Sequence, residues 1–173
     1  MNIEISKQIQ LSSLVLSDAR QMLKLIENNR QTLGHYLPWV AAVTDIPSAE
    51  KFIDERVNNA LPGAQWFKVI VNGELCGMFG IKSFDSETAT AEVGYMLAEG
   101  MQGKGVISNI IIGMSGYIKD KIGAVIMEFR CLAPNQASIN VALRAGAVLT
   151  QEIPDFIEQQ GESQSLNVYQ VRL

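Results

Sequence analysis

The chain has 173 residues, of which 47% are hydrophobic and 18% are charged, a composition that excludes an intrinsically disordered or collagen-like protein. This length favours one domain over residues 1–173 and suffices to bury a sizeable core. Fourteen Lys and Arg against 18 Asp and Glu give a net charge of −4. That balance argues against a nucleic-acid-binding protein, because such proteins concentrate positive charge.

The hydrophobic pattern predicts a mixed fold of class α+β. Asn72-Gly73 is a strong two-residue hairpin signal, so the strands around it are expected to be antiparallel neighbours. In chain order, the predicted elements are a strand at 3–11, a helix after Ser17-Asp18, a helix from Pro47 to about residues 61–63, strands at 66–71, 74–84 and 90–97, a helix from Gly105 to Gly123, a strand at 124–132, a helix at 135–145, and strands at 147–153 and about 163–173.

Cysteine usage and the chain start bear on where the protein works. Cys76 and Cys131 stand far apart in apolar contexts, so both are expected to be small buried hydrophobes rather than a disulfide or a metal site. The first residues lack the regions of a signal peptide, and no apolar run approaches the ~18 residues of a membrane span. The expectation is a cytoplasmic protein that binds neither membrane nor metal; a homodimer is left open.

Residues 95–108 run from a strand through a glycine-rich loop into a helix. Glycines let successive backbone N–H groups converge, and a helix N-terminus adds partial positive charge, so this loop suits a pyrophosphate. The alternative is an ordinary turn that uses glycine only for geometry. A Walker loop would need Gly at Ala98 and Ser or Thr at Gly105, and a dinucleotide fingerprint would need Gly or Ala at Ser108. Both of these phosphate loops are excluded.

The loop sequence Gln-Gly-Lys-Gly-Val at 102–106 resembles the coenzyme A pyrophosphate motif of the GCN5-related N-acetyltransferases (GNAT), Gln/Arg-x-x-Gly-x-Gly/Ala. Ile107 replaces the final small residue, as is common in the RimJ/RimL-like subgroup, which acetylates ribosomal-protein N-termini. Segments on both sides resemble that subgroup as well. They are Ala91–Leu97, Asn135–Asn140, Arg144–Ala147, and Asn29-Arg30 with Leu37-Pro38-Trp39, the last resembling its substrate loop.

Two departures from the subgroup stand out. Ala147 occupies a position where Phe is usual, which is a packing change. The predicted loop at 155–165 follows the pattern poorly, and this bears on the identity of the substrate.

The resemblance implies the GNAT fold, a mostly antiparallel sheet of six to seven strands flanked by about four helices. It also implies acetyl-CoA as cosubstrate, held in a slot where the strand at 92–97 splays from its neighbour. Gly94 suits a bulge that produces the splay, and a packing glycine is the alternative. For Lys104 a phosphate contact and a solvated side chain are equally open. The cofactor-binding residues that the resemblance implies are Tyr95, Met96, Leu97, Gln102, Gly103, Lys104, Gly105, Val106, Ile107 and Asn135.

Glu92 is the candidate general base, acting directly or through water, because burial of a carboxyl at the slot would favour that role. Ser138 resembles the family serine near the thioester sulfur, where a hydroxyl could donate to the thiolate. The alternatives are a solvent-facing strand carboxylate for Glu92 and a serine bonded to the helix backbone for Ser138. Asn135 could contact the pantetheine arm, cap its own helix, or do both. The candidate acceptor-binding residues are His35, Tyr36 and Trp39, with a structural loop histidine as the alternative for the first.

These expectations add up to an acetyl-CoA-dependent N-acetyltransferase in which a primary amine attacks the thioester directly. A protein N-terminal α-amine, by analogy that of a ribosomal protein, is the expected acceptor. Its pKa of about 7.7–8.0, against about 10.4 for Lys, requires only a modest base. The alternatives are an acetyltransferase of a small-molecule amine and a non-catalytic acyl-CoA-binding or sensor module.

Overall fold

The strands form one sheet across the part of the chain that the computed structural model describes, residues 1–58, 60–159 and 161–173. They are β1 (Asn2–Glu4), β2 (Ile9–Ser13), β3 (Gln65–Val71), β4 (Glu74–Asp85), β5 (Thr90–Leu97), β6 (Ile126–Leu132), β7 (Val148–Gln159) and β8 (Glu162–Arg172). Within these described residues the order is β1-β2-β3-β4-β5-β6-β8-β7. All neighbours are antiparallel except β5 and β6, which are parallel.

The helices divide between the two faces of the sheet. They are α1 (Ala19–Asn28), α2 (Arg30–Gly34), α3 (Ile46–Val57), α4 (Val106–Tyr117) and α5 (Gln136–Arg144). One core cluster combines α4 and α5 with side chains such as Phe79 and Val93, and a second combines α1 to α3 with Met78 and Met96. Since successive strand residues point to opposite faces, β5 contributes alternately to both clusters.

The predicted α+β class and the mostly antiparallel sheet are confirmed, although the described residues form eight strands and five α-helices rather than six to seven strands and about four helices. Two further differences lie at the N-terminal side. Residues 3–11 form two strands, because a tight turn brings Ile5 N–H within 2.9 Å of the Ile9 carbonyl oxygen. The helix predicted from Pro47 ends at Val57, before the expected 61–63. There Pro62 accepts a hydrogen bond from Phe84 N–H, at 3.0 Å, and Gly63 has a φ of 71°, so these residues form a turn. Asn59 lies outside the described residues.

The prediction of a loop at 155–165 is wrong, because β7 and β8 pair through most of this segment. Its polar composition hides the ladder, and Asp155 interrupts it locally with a φ of 50° and a register shift between Ile153 and Ile157. The Ser163 hydroxyl donates to Asp155 Oδ1 at 2.5 Å and braces the irregularity. Gln160, inside the predicted loop, lies outside the described residues.

Candidate active site

The parallel strands β5 and β6 separate halfway along their length. They pair from Thr90 with Ile126 to Val93 with Phe129, and the ladder stops there. From Gly94 to Leu97, β5 is still paired with β4 on its other side. The backbone of β5 that faces β6 is therefore left without a strand partner over these residues, which is the expected splay.

The bulge expected at Gly94 lies instead in the neighbouring strand. Gly94 pairs regularly with Gly80, and the register shift falls between Ile81 and Ser83, which makes Lys82 the extra residue. A β-carbon on Gly94 would lie 2.8 Å from Lys82 Cδ. Gly94 is therefore a close-approach glycine, since it makes room for the Lys82 side chain.

A cleft of about 1110 Å³ opens at the splay. Its walls combine the end of β5, the glycine-rich loop, the start of α5 and the segment at 35–39. Most of the expected site residues line it: His35, Tyr36, Trp39, Tyr95, Met96, Leu97, Gln102, Gly103, Gly105, Val106, Ile107, Asn135 and Ser138. Glu92 and Lys104, both described, lie outside this lining, and Lys104 is exposed.

The glycine-rich loop has the backbone geometry of an anion site. Gly103 and Gly105 adopt φ values of 73° and 75°, and a β-carbon at either would meet only open space. Glycine is therefore required here by conformation rather than by packing. Within the described part of the chain, the N–H groups of Gly103, Lys104 and Gly105 have no backbone acceptor. The first N–H groups of α4, which starts at Val106, lack partners inside the helix as well.

Ile107 explains why the motif tolerates a large residue at its last position. Its side chain is buried in the core cluster with the other apolar residues of α4, so core packing accommodates it. Gln102 stabilises the loop from the other side, because its side-chain amide donates to the Leu97 carbonyl oxygen at 3.1 Å.

Hydrogen bonds tie this loop to the N-terminal segment. The Asn29 side chain accepts from Glu99 N–H at 2.9 Å, and the Thr32 hydroxyl donates to Glu99 Oε2 at 2.9 Å. Arg30 donates to the carbonyl oxygens of Val40 and Val43, each at 2.6 Å. The segment that carries the acceptor-binding candidates is thus fastened next to the residue that begins the turn into the loop.

The start of α5 places Ser138 at the cleft, beside the Tyr95 phenol. Asn135 caps this helix, since its Oδ1 accepts from Ser138 N–H at 3.2 Å. Tyr95 donates weakly to the Ser138 carbonyl oxygen at 3.5 Å. Burial raises the pKa of the Tyr95 phenol far above its usual range, so this group stays protonated.

Glu92 belongs to a cluster of charged side chains on the sheet face that carries α1 to α3. Lys82 forms an ion pair with Glu92 Oε1, and Arg130 Nε lies 3.8 Å from Glu92 Oε2 and 2.7 Å from Glu128 Oε1. The Glu92 side chain is only 16% exposed, whereas those of Lys82 and Arg130 are 42% and 44% exposed. Lys82 and Arg130 line the cleft, so they stand between Glu92 and the open space.

The acceptor-side candidates form a compact aromatic wall. The His35 and Tyr36 rings meet edge to face with centroids 4.4 Å apart. Tyr36 Oη donates to the Pro134 carbonyl oxygen at 3.1 Å, which bridges this segment to the loop before α5. Trp39 stacks on Phe52 at 4.4 Å. The aromatic wall therefore links α3, through Phe52, to the loop before α5, through Pro134.

Sequence reasoning missed the cations of this cleft. Lys82, Arg130 and Arg56 all line it, but no motif marks them. Lys82 lies at a bulge that alternation cannot foresee, and Arg130 faces the cleft only because β6 diverges from β5. For Arg56 the available signal was its place in the last turn of an amphipathic helix, which does not show the neighbours it meets.

Both cysteines are buried and free, as expected. Burial raises the pKa of the Cys131 thiol to about 11 and also raises that of Cys76. Across the described ranges, no group of three or more His, Cys, Asp or Glu side chains is placed to hold a metal ion. Nor does any helix in those ranges have the length and apolar character to span a membrane.

The comparison with known families agrees with this geometry. Residues 8–148 match the family model of the acetyltransferase (GNAT) domain, which spans well over half of the chain. The protein is therefore an acyltransferase. It belongs to the acetyltransferase (GNAT) domain family.

Individual relatives are more distant. The chain is 26% identical over 148 residues to the ribosomal-protein-serine acetyltransferase of Escherichia coli (strain K12), covering 85% of this chain and 83% of that protein. RimL, a ribosomal L7/L12 alpha-N-protein acetyltransferase solved in complex with coenzyme A, shares 20% identity and a TM-score of 0.92 over 100% of this chain and 98% of that one. The microcin C7 self-immunity acetyltransferase MccE, solved with acetyl-CoA and AMP, shares 24% identity and a TM-score of 0.88 over 99% and 96%. At these identities the solved structures establish the fold.

Proposed function

We propose that this protein transfers the acetyl group of acetyl-CoA to a primary amine, and that the amine is the N-terminal α-amine of a protein. The splay of β5 from β6 beside the glycine-rich loop carries the proposal. It provides an unpaired strand edge and a set of free N–H groups in the same cleft.

The residues present fit coenzyme A. The N–H groups of residues 103–105 have no backbone acceptor among the described residues, and those of Val106 and Ile107 open α4, which leaves them available to a pyrophosphate. The edge of β5 from Gly94 to Leu97 offers backbone groups to an amide-rich arm, and Asn135 lies across the slot. When bound, acetyl-CoA supplies an activated acyl group as a thioester. The chain itself supplies binding, orientation and proton handling.

His35, Tyr36 and Trp39 are the proposed acceptor-binding residues, because they line the cleft on the side of the sheet away from α4. The aromatic wall offers apolar surface at the place where an amine would approach the splay. Holding two reactants in one orientation supplies a large part of the rate enhancement in transfers of this kind.

Proton handling is assigned to Glu92 and Ser138. Both Glu92 oxygens face cations, so contact with the acceptor amine through a bridging water is the arrangement that the geometry supports best. The Ser138 hydroxyl lines the cleft and is the proposed proton donor to the departing thiolate. Neither residue forms a dedicated catalytic dyad, which suits an α-amine that is partly neutral near pH 7.7–8.0 (its approximate pKa).

A protein N-terminus is preferred as acceptor because the relatives named above include a ribosomal-protein-serine acetyltransferase and an alpha-N-protein acetyltransferase. The AMP-containing MccE structure keeps a small-molecule amine as the second candidate. The deciding experiment incubates the protein with acetyl-CoA and a panel of peptides and small amines, following free thiol and acetylated product. Turnover of peptides with a free N-terminus supports the proposal. Turnover of small amines alone supports the second candidate, and bound acetyl-CoA without thiol release on any amine refutes both.

Three expectations stay predictions. One domain over 1–173 is supported by the pairing of β1 with β2 and by the Leu173 N–H bond to Val125 at 2.9 Å, which bring both ends onto the same sheet. A cytoplasmic place is supported by the relative that acts on ribosomal proteins. A homodimer is tested by sedimentation equilibrium.

A further inference from the structure

Arg56 combines a position on the cleft wall with an incompletely satisfied guanidinium. It lies in the last turn of α3 and lines the cleft with Trp39 and Trp66. Its Nη1 donates to the Phe52 carbonyl oxygen at 2.8 Å. Its Nε is buried without an acceptor, and no described carboxylate forms an ion pair with it.

The other cations of the cleft are placed differently. Lys82 and Arg130 are each held by a carboxylate, Glu92 and Glu128 respectively. Arg144 is exposed at the end of α5, on the sheet face where α4 packs. Arg56 instead lies on the acceptor side, half-buried on aromatic rings.

The aromatic rings fix the guanidinium in place. Its central carbon lies 3.5 Å from the Phe52 ring centroid, 5.5 Å from that of Trp39 and 5.2 Å from that of Trp66. Such stacking offsets part of the cost of burying a cation. It does not replace a counter-ion, since burial still lowers the pKa of Arg56 to about 10.

We propose that Arg56 forms an anion subsite for the acceptor and selects peptides with an acidic side chain close to the N-terminal amine. The subsite rests on the proposed function, which places the acceptor on this wall. A guanidinium already fixed by stacking binds a carboxylate with little loss of side-chain entropy. An incoming carboxylate would supply the counter-ion that the described residues do not provide. A neutral peptide at the same place would leave the guanidinium desolvated and unpaired, which costs affinity.

The test compares tetrapeptides with a free N-terminal serine and an amidated C-terminus that carry Asp or its amide isostere Asn at the second, third or fourth position. Acetyl transfer gives kcat and KM for each pair. Binding of the corresponding N-acetylated peptides, measured by calorimetry, reports the subsite without turnover. For at least one position, the wild-type protein is expected to bind the Asp peptide about tenfold more tightly, with the difference in KM rather than kcat.

Three variants locate the effect. Arg56→Met keeps an apolar stem and is expected to reduce the preference to less than about twofold, whereas Arg56→Lys retains part of it because the charge persists without the planar fork. Lys51→Met, which removes an exposed cation of the same helix outside the cleft lining, is the matched control and should keep the full preference. If Arg56→Met fails to fold, the Asp and Asn peptide pairs measured with the wild-type protein and with Arg56→Lys still test the subsite.

The outcomes separate the two proposals. Acetyl transfer with equal affinity for Asp and Asn peptides at every position overturns the anion subsite and leaves the proposed function standing. A preference that is unchanged in Arg56→Met overturns it as well. Acidic preference in binding without acetyl transfer to any peptide supports the subsite and refutes the N-terminal acetyltransferase function. Absence of both binding and transfer overturns both.

Discussion

The stem of Lys82 lies across Gly94, so close that a β-carbon there would come within 2.8 Å of Lys82 Cδ. By crossing Gly94, the Lys82 side chain extends from the bulge of β4 to its ion pair with Glu92. The adjacent Gly80 is covered in a similar way by the Trp66 ring, with Cε3 2.3 Å from the position of an added β-carbon. The paired residues Gly80 and Gly94 therefore leave room for the Trp66 ring and the Lys82 side chain to pack directly against the sheet backbone.

Alanine at these two glycines should have unequal effects. Gly80→Ala is expected to destabilise the protein by about 1–3 kcal/mol, because a packed indole ring cannot give way. Gly94→Ala is expected to cost less than about 1 kcal/mol, because the Lys82 chain can rotate. Urea unfolding measures both, with Gly100→Ala as control, since a β-carbon there meets nothing within 4 Å. Equal losses at the two positions would contradict the difference in packing.

Coenzyme A should protect the protein against thermal unfolding, whereas NAD and ATP should not. At 100 times the dissociation constant the stabilisation approaches about 2.7 kcal/mol. Equal shifts with all three ligands would count against a site specific for coenzyme A.

Replacement of Gly105 by Val should weaken coenzyme A binding more than replacement of Lys104 by Ala. Gly105 has a φ of 75°, which a β-branched residue adopts only with strain, and the proposed contacts are backbone N–H groups. Calorimetric titration of both variants gives the comparison. A larger loss for Lys104→Ala would show that side-chain charge, rather than loop shape, dominates.

Glu92→Gln should keep coenzyme A affinity near normal and lower the rate by about 10²–10⁴-fold, the usual size of a general-base contribution. The loss should shrink above about pH 8, where an α-amine is largely neutral without assistance. A pH–rate profile with a fixed peptide acceptor measures both effects. Lys82→Met removes the same ion pair but keeps the carboxylate, so it should cost less. If the two variants lose the same rate at every pH, Glu92 acts only by holding Lys82.

Ser138→Ala should reduce the rate less than Glu92→Gln, because a thiolate with a pKa near about 8.5 departs with little help. Single-turnover kinetics, with the enzyme saturated by acetyl-CoA and in excess over the acceptor peptide, measures acetyl transfer separately from product release. A Ser138→Ala variant slower than Glu92→Gln at pH 7 would reverse the assigned importance of the two groups.

Both cysteines should resist thiol reagents in the folded protein at pH 8. Burial raises the pKa of Cys131 to about 11, so the reactive thiolate is scarce at pH 8. Labelling in urea should then reveal two thiols per chain. The same property keeps the background low in an assay that reads coenzyme A thiol. Rapid labelling of the folded protein would show that the core opens around β4 or β6, which carry Cys76 and Cys131 respectively.

Local sequence signals predicted the fold where they are strong. The Asn72-Gly73 turn has φ values of 51° and 84°, as its sequence requires, and the strand expected at 90–97 is β5 without adjustment. The β7–β8 hairpin was missed in part, since its ladder depends on a partner strand rather than on alternation. In the site, the glycine-rich loop could be predicted because its glycines are visible in the sequence. The charged cluster was not, because its members meet only when three strands align Lys82, Glu92 and Arg130.

The bonds from Asn29 and Thr32 to Glu99 join the segment that lines the acceptor wall to the turn before the glycine-rich loop. A movement of that turn on coenzyme A binding would therefore also move the segment that carries His35, Tyr36 and Trp39. By thermodynamic reciprocity, the acceptor must then alter donor affinity by the same factor. Any such coupling would pass through Asn29, Thr32 and Glu99 rather than through the residues assigned to proton handling.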